Sequence, residues 1–219
     1  MSSDLEKLRL YQAIGRVAAA LGSAGRLQLL EFVAQGERSV DALAAMTGLS
    51  VANTSKHLQT LKQAGLVHAR REGLRVYYAL AGDDVSLLLA ALRGVAEHRA
   101  ADVERLLRTW LAHRDELEPV SAREVLERLR KGLVTVLDVR PPEEYTSGHL
   151  PGAINVPMEK LETYLSKLPK RREIIAYCRG PYCLMSFDAV EKLRQRGFKA
   201  KRMVDGYPEW RAAGLPVER

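Results

Sequence analysis

The chain has 219 residues and only two cysteines, Cys178 and Cys183, both inside one hexapeptide. Thiol chemistry is thereby excluded everywhere else, and from the N-terminal half altogether. No apolar run is long enough to span a membrane, and Met1-Ser2-Ser3-Asp4 opens no signal peptide. A cytoplasmic protein with no membrane partner is the expectation, and there two thiols are kept mostly reduced. Internal repeats and low-complexity tracts are also missing, which removes solenoid and linker-like architectures. A decisive charge asymmetry is lacking as well. The net +7 is shared as +3 up to Asp115 (15 basic, 12 acidic) and +4 after it (19 basic, 15 acidic), so global charge names no partner.

What is present divides in two. From Leu5 to about Asp115 the chain is rich in Leu and Ala at helical spacing, whereas from Val134 apolar strand-like runs alternate with helical patterns. The length suits two domains, each burying its own core. Pro119 discourages helix continuation, and Ser121 with Glu124 three residues on reads as a capping box. We place a mostly α-helical domain at 1–115, a linker at 116–121 and an α/β domain at 122–219.

The two cysteines bracket Cys178-Arg179-Gly180-Pro181-Tyr182-Cys183, which follows the strand-like Ile174-Ile175-Ala176-Tyr177 and leads into a helical pattern. A thiol at a strand end, facing a helix N-terminus, meets unpaired backbone N–H groups and the positive end of the helix dipole. That favours thiolate, and Arg179 adds to it. Two inert, buried cysteines in a turn are the alternative.

Three separated motifs resemble the rhodanese family from about residue 119 onward. They are Val136-Leu137-Asp138-Val139-Arg140 to Tyr145 with Gly148-His149-Leu150-Pro151-Gly152 to Pro157, the cysteine loop, and Asp205-Gly206-Tyr207 with Trp210 and Gly214-Leu215-Pro216-Val217. The resemblance implies a parallel sheet flanked by helices and a Cys178 that carries sulfur as a persulfide, cradled by loop N–H groups. Sulfur-transferring members have a loop of six residues, as here, and phosphatase or arsenate-reductase relatives have one more. Two features depart from thiosulfate-using members. Cys183 stands where Arg forks onto a sulfonate, and Pro181 removes one N–H from the cradle. Cys183 is then either a resolving thiol or a space-filler under the helix. Asp138, Arg140, Glu144 and His149 suit structural roles, with Asp-x-Arg fixing the following loop.

In the first half, Ser39 to Lys62 reads as helix-turn-helix. Val40, Leu43 and Ala44 face inward, Thr47-Gly48-Leu49 turns, and Ser50 caps a second helix that buries Thr54, Leu58 and Leu61. The same geometry turns Ala52, Asn53, Lys56 and their neighbours outward, toward base edges and phosphates. Beyond Gly65, Leu66 to Arg71 and Leu74 to Leu80 alternate as two strands of a wing around Glu72-Gly73. Leu49-Ser50, Ser55-Lys56-His57-Leu58, Ala64-Gly65-Leu66-Val67, Arg71-Glu72-Gly73 and Tyr77-Tyr78 resemble the winged helix of the arsenic-repressor (ArsR) family. Residues 50–81 hold five Lys or Arg against one acid, the footprint expected for phosphate contacts. The expected DNA-binding residues are Ser50, Ala52, Asn53, Ser55, Lys56, His57, Arg70, Arg71 and Arg75.

Metal sensing finds little support. Glu37-Arg38-Ser39-Val40-Asp41 lacks the thiol pair of arsenic- and cadmium-responsive members, and His98, Asp102, His113 and Glu116 lack the Asp-x-His of a zinc site. No metal and no cofactor are expected. Apolar residues Leu5, Leu8, Tyr11, Leu88, Leu92, Val95, Val103, Leu106, Leu107 and Trp110 exceed what one small winged helix covers, and imply a homodimer on a palindromic double-stranded operator. The reading is a multidomain regulator with an α winged helix-turn-helix and an α/β rhodanese-like domain. Its site comprises Cys178, Arg179 and Cys183, and its sulfur donor is a small molecule or a protein persulfide. A sulfurtransferase that docks or dimerises through its helical half is the alternative.

Overall fold

The structure, a computed structural model, describes residues 2–111 and 119–219. Its internal contacts divide the chain into Met1–Val85 and Ser86–Arg219.

The first unit runs α1 (Ser2–Leu21), α2 (Ala24–Val33), β1 (Arg38–Ser39), α3 (Val40–Thr47), α4 (Val51–Gln63), β2 (Val67–Glu72) and β3 (Arg75–Leu80). Serine hydroxyls start both helices of the motif. Ser39 accepts from the Ala42 N–H and Ser50 from the Asn53 N–H, each at 3.2 Å. Gly48 ends α3 at φ +70°, a left-handed conformation that side chains disfavour, and this sets the turn. Thr54, Leu58 and Leu61 are buried, as their spacing requires, in a core with Leu29, Leu30, Val33, Leu43 and Ala44.

The wing pairs antiparallel from Val67↔Leu80 to Glu72↔Arg75, so its two-residue turn is Gly73-Leu74, one residue later than the sequence pattern places it. Gly73 takes φ +58° there, and Leu74 is exposed at the tip. The strand β1 adds to β3 through Arg38↔Tyr78 and completes a sheet of order β1-β3-β2. Two residues are too few to show alternation, so no local pattern marks this strand.

The division falls within α5 (Asp83–Arg99), which is followed by α6 (Ala101–Leu111) and α7 (Ala122–Arg130). Then come β4 (Val134–Asp138), α8 (Pro142–Ser147), β5 (Ile154–Asn155), α9 (Leu161–Tyr164), β6 (Glu173–Tyr177), α10 (Leu184–Gln195), β7 (Ala200–Arg202) and α11 (Tyr207–Ala212). The four strands are parallel in the order β5-β4-β6-β7. Ser121 caps α7, accepting from the Glu124 N–H at 3.3 Å, and Val120 just before it bridges to Met203.

Alternation along β6 sorts the two faces of the sheet. Ile174, Ala176 and then Cys178 pack with Ala189, Val190 and Leu193 of α10. Ile175 and Tyr177 pack on the other side with Val125, Tyr207 and Trp210. The cysteine loop thus leaves the carboxyl end of an inner strand, where parallel α/β sheets characteristically place their sites.

Candidate functional site

Cys178 is buried at the end of β6, and Cys183 is the N-cap residue of α10. The two are joined as a disulfide, with Cα atoms 6.2 Å apart. That separation is within the usual range for the bond. Within the loop the Cys183 N–H donates to the Gly180 carbonyl at 3.1 Å, and the Tyr207 N–H donates to the Cys178 carbonyl at 3.2 Å. The twelve residues of α10 point their positive end at the cysteines.

Arg179 is turned onto buried Glu144 of α8. Its Nε lies 3.0 Å from both carboxylate oxygens and its Nη2 lies 2.7 Å from Oε1. The guanidinium therefore fastens the loop to α8, and Glu144 balances its charge.

Asp138 and Arg140, both fully buried, form a second fastening. The Arg140 Nη2 lies 2.5 Å from Asp138 Oδ2 and donates to the Gly148 carbonyl at 2.8 Å. Burial disfavours the Arg140 charge, but the Asp138 hydrogen bond and charge outweigh it and hold its pKa above the ordinary value. The Tyr177 hydroxyl also donates to Asp138. His149 stacks on Tyr145 with ring centroids 3.7 Å apart. Asp138, Arg140, Glu144 and His149 thus brace the loops around the site, as the sequence suggests.

The far side of the loop meets α5 and α6. The Tyr182 hydroxyl donates to the Glu97 carboxylate, and burial together with that carboxylate raises the phenol pKa, so the proton stays on Tyr182. The ring of Tyr182 and Val103, Leu106, Leu107 and Trp110 line a cavity of about 310 Å³. Those four apolar residues thus face the cysteine loop as well as solvent, a placement their helical spacing alone could not assign. Arg93 pairs with Glu209, whose carboxylate accepts the Gly206 N–H at 3.0 Å.

Gly206 is there for space. A Cβ on it would overlap the Arg179 carbonyl carbon and the Gly180 nitrogen. Gly206→Ala is expected to push the loop aside and to lower stability by about 1–3 kcal/mol, the usual range for overpacking. Urea unfolding measures this, and a variant as stable as the wild type would refute so close an approach.

On the winged helix, Ser50 just before α4 and Ala52, Asn53 and Lys56 on it are exposed, while Ser55 and His57 are half-buried. His57 sits against α2, where a Cβ on Gly25 would lie 3.4 Å from its Nε2. Arg71 and Arg75 are exposed on the wing. Arg70 is tied down: it pairs with Glu37 at 2.6 Å and Glu72 at 2.7 Å and stacks over Tyr77. The Arg70 hydrogen bond lowers the Glu37 pKa, so that carboxylate stays charged. Lys56 and Arg75 have no ion pair among the described residues.

His98 Nδ1 lies 2.6 Å from the Gly94 carbonyl, and His113 and Glu116 lie outside the described residues. Among the described residues, no cluster of three or more His, Cys, Asp or Glu could hold a metal. No helix among them is long and apolar enough to cross a membrane.

Known proteins match each half of the chain. Residues 23–69 match the arsR family of bacterial regulatory proteins, and residues 121–213 match the rhodanese-like domain. The HTH-type transcriptional regulator Rv0324 of Mycobacterium tuberculosis is 47% identical over 212 residues, 97% of this chain and 93% of that protein. A sulfurtransferase of Allochromatium vinosum is 32% identical over 85 residues, 38% of this chain and 78% of its own length. A solution structure of a homodimeric winged helix-turn-helix DNA-binding domain from Mycobacterium bovis is 46% identical. It covers 44% of this chain and 89% of its own, with a TM-score of 0.41. With a relative this similar from end to end, the chain belongs to the arsR family of transcriptional regulators and carries a C-terminal rhodanese-like domain.

Proposed function

We propose that this regulator binds a palindromic double-stranded operator as a homodimer and registers sulfane sulfur at Cys178, with Cys183 as the resolving thiol. The observation that carries the sulfur part is the pair of cysteines bonded to each other across a six-residue loop at a helix N-terminus. The Cys178 thiolate attacks a sulfane sulfur of a polysulfide or a protein persulfide, and the donor leaves one sulfur shorter as a thiolate or hydrosulfide. Cys178 is then a persulfide. Attack by the Cys183 thiolate on the sulfur still bound to Cβ of Cys178 forms the disulfide and expels hydrosulfide. The two thiols are oxidised and the sulfane sulfur is reduced, so the electrons balance. A thiol reductant resets the loop.

The dimer rests on surface left uncovered. Leu5, Leu8, Tyr11 and Ile14 of α1 and Leu88, Leu92 and Val95 of α5 are exposed, and a two-fold contact would bury such stripes and pair two recognition helices. The loop length also favours a second reading, in which Cys178 passes its sulfur to an external acceptor. Selection of bound DNA fragments by the purified protein, reduced and after polysulfide treatment, tests the proposal. Recovery of inverted half-sites whose yield depends on treatment is expected. Absence of any sequence enrichment in both states would overturn it and leave the transferase.

The exposed cations predict the salt dependence of binding. Replacing Lys56, Arg71 and Arg75 by Ala is expected to flatten the slope of log K against log salt, on every sequence, by about one unit for each phosphate that is no longer neutralised. Arg70→Ala acts differently, because it also exposes Glu37 and Glu72 to the DNA backbone. Asn53→Ala is expected to relax preference at one half-site position, losing roughly 1–3 kcal/mol on the preferred base. Titrations over a salt series measure both, and a triple variant with wild-type slope would remove this face from the interface.

A further inference from the structure

One helix faces the cysteine loop and the uncovered apolar surface at once. At about 100° per residue, Leu88, Leu92 and Val95 fall within an arc of about 60° on α5, and Arg93 and Glu97 lie about 150° away on the opposite side. The first arc is apolar and exposed. The second holds the loop from two directions.

On one side Glu97 accepts the Tyr182 hydroxyl, and Tyr182 is the neighbour of Cys183. On the other, Arg93 pairs with Glu209, which accepts the N–H of Gly206, the residue in close contact with the Arg179-Gly180 backbone. A Cβ on Gly180 would lie 3.7 Å from Arg93 Nη1 and 3.9 Å from both Glu209 carboxylate oxygens, so the guanidinium also lies over the middle of the loop. None of these four side chains is needed for the sulfur chemistry.

We propose that α5 is the reader of the cysteine loop, so that opening or closing the Cys178–Cys183 bond is transmitted through Tyr182–Glu97 and Arg93–Glu209 to the apolar face of the same helix. The inference rests on the reading that these thiols register sulfane sulfur. Closing the bond ties the chain on both sides of Tyr182 into one short ring. Opening it frees Cys183, and with it the backbone that aims the phenol at Glu97. Because α5 is a continuous hydrogen-bonded rod, a shift imposed at Arg93 and Glu97 reaches Leu88 within about two and a half turns. Two copies meeting there would feel the shift at their shared contact.

Hydrogen exchange by mass spectrometry on the full chain, reduced with dithiothreitol or oxidised with inorganic polysulfide, tests this together with operator affinity. In the wild type, amides of α5 from Arg93 to Arg99 are expected to exchange at least about threefold more slowly with the bond closed. Tyr182→Phe and, independently, Arg93→Ala are expected to form the bond, as mass spectrometry verifies, yet to lose most of that difference and most of the affinity response. Equal exchange in the two wild-type states overturns the reader, as does a full difference retained in Tyr182→Phe. A wild type whose α5 exchange responds while operator affinity does not would uphold the reader and remove the DNA switch. Affinity that responds while α5 does not would do the opposite.

Discussion

Polysulfide is expected to change the operator affinity of the wild-type protein by about 5- to 150-fold, the range given by a coupling of roughly 1–3 kcal/mol between two sites. Cys178→Ser should abolish that response, because Cys183 then has no second thiol in the chain with which to close the ring. Cys183→Ser separates two mechanisms. Its Cys178 can take sulfur but cannot close the ring, so mass spectrometry is expected to find one added sulfur and binding assays a response well below wild type. A full response in Cys183→Ser would make the persulfide itself the signal. An unchanged wild-type affinity, with the disulfide verified, would move the function to sulfur transfer. Only differential contact by the two loop states can shift the equilibrium, and in the closed state the loop is held on two sides, by Glu144 and by Glu97.

Features written in short spans of sequence are the ones that can be read without a structure. Ser39, Gly48 and Ser50 act within three or four residues of themselves, and period-four and period-three spacing puts Thr54, Leu58 and Leu61 inside α4. The cysteine loop is legible for the same reason, since a strand, a turn and a helix start are adjacent in the chain. Partners brought from a distance are not. Glu37 lies 33 residues before Arg70, so a charge count over 50–81 finds five cations and one acid and misses that one cation is already paired. Arg179 reaches Glu144 across 35 residues, Tyr182 reaches Glu97 across 85, and Arg93 reaches Glu209 across 116. Each is an exposed-looking charge or hydroxyl on an ordinary local pattern. The fold alone gives them their partners: α8 brings Glu144 and α5 brings Glu97 to the cysteine loop, and α11 brings Glu209 to Arg93.

Loss of Asp138 is expected to be the most damaging single change in the rhodanese-like domain. Its carboxylate receives the Arg140 N–H at 3.0 Å, the Arg140 guanidinium at 2.5 Å and the Tyr177 hydroxyl. The Tyr177 oxygen in turn accepts the Leu150 N–H at 3.2 Å. Asp138→Ala removes from a fully buried guanidinium the carboxylate that binds it most closely, and breaking such a pair typically costs about 3–5 kcal/mol. A salt bridge in such a place need not be a net gain over apolar packing, so the damage belongs to the broken pair. Replacing Arg140 by Met together with Asp138→Ala should therefore recover part of the loss. Urea unfolding of the full chain, followed by tryptophan fluorescence in a Trp110→Phe background so that Trp210 alone reports, measures both variants. Equal stability of Asp138→Ala and wild type would refute the buried pair. Tyr177 directly precedes Cys178 in the chain, so a weakened Asp138 variant that still folds should also release the strand end that aims the thiol. Its Cys178 should then react with polysulfide at an altered rate, while the salt slope of DNA binding, set by Lys56, Arg71 and Arg75, stays as in the wild type.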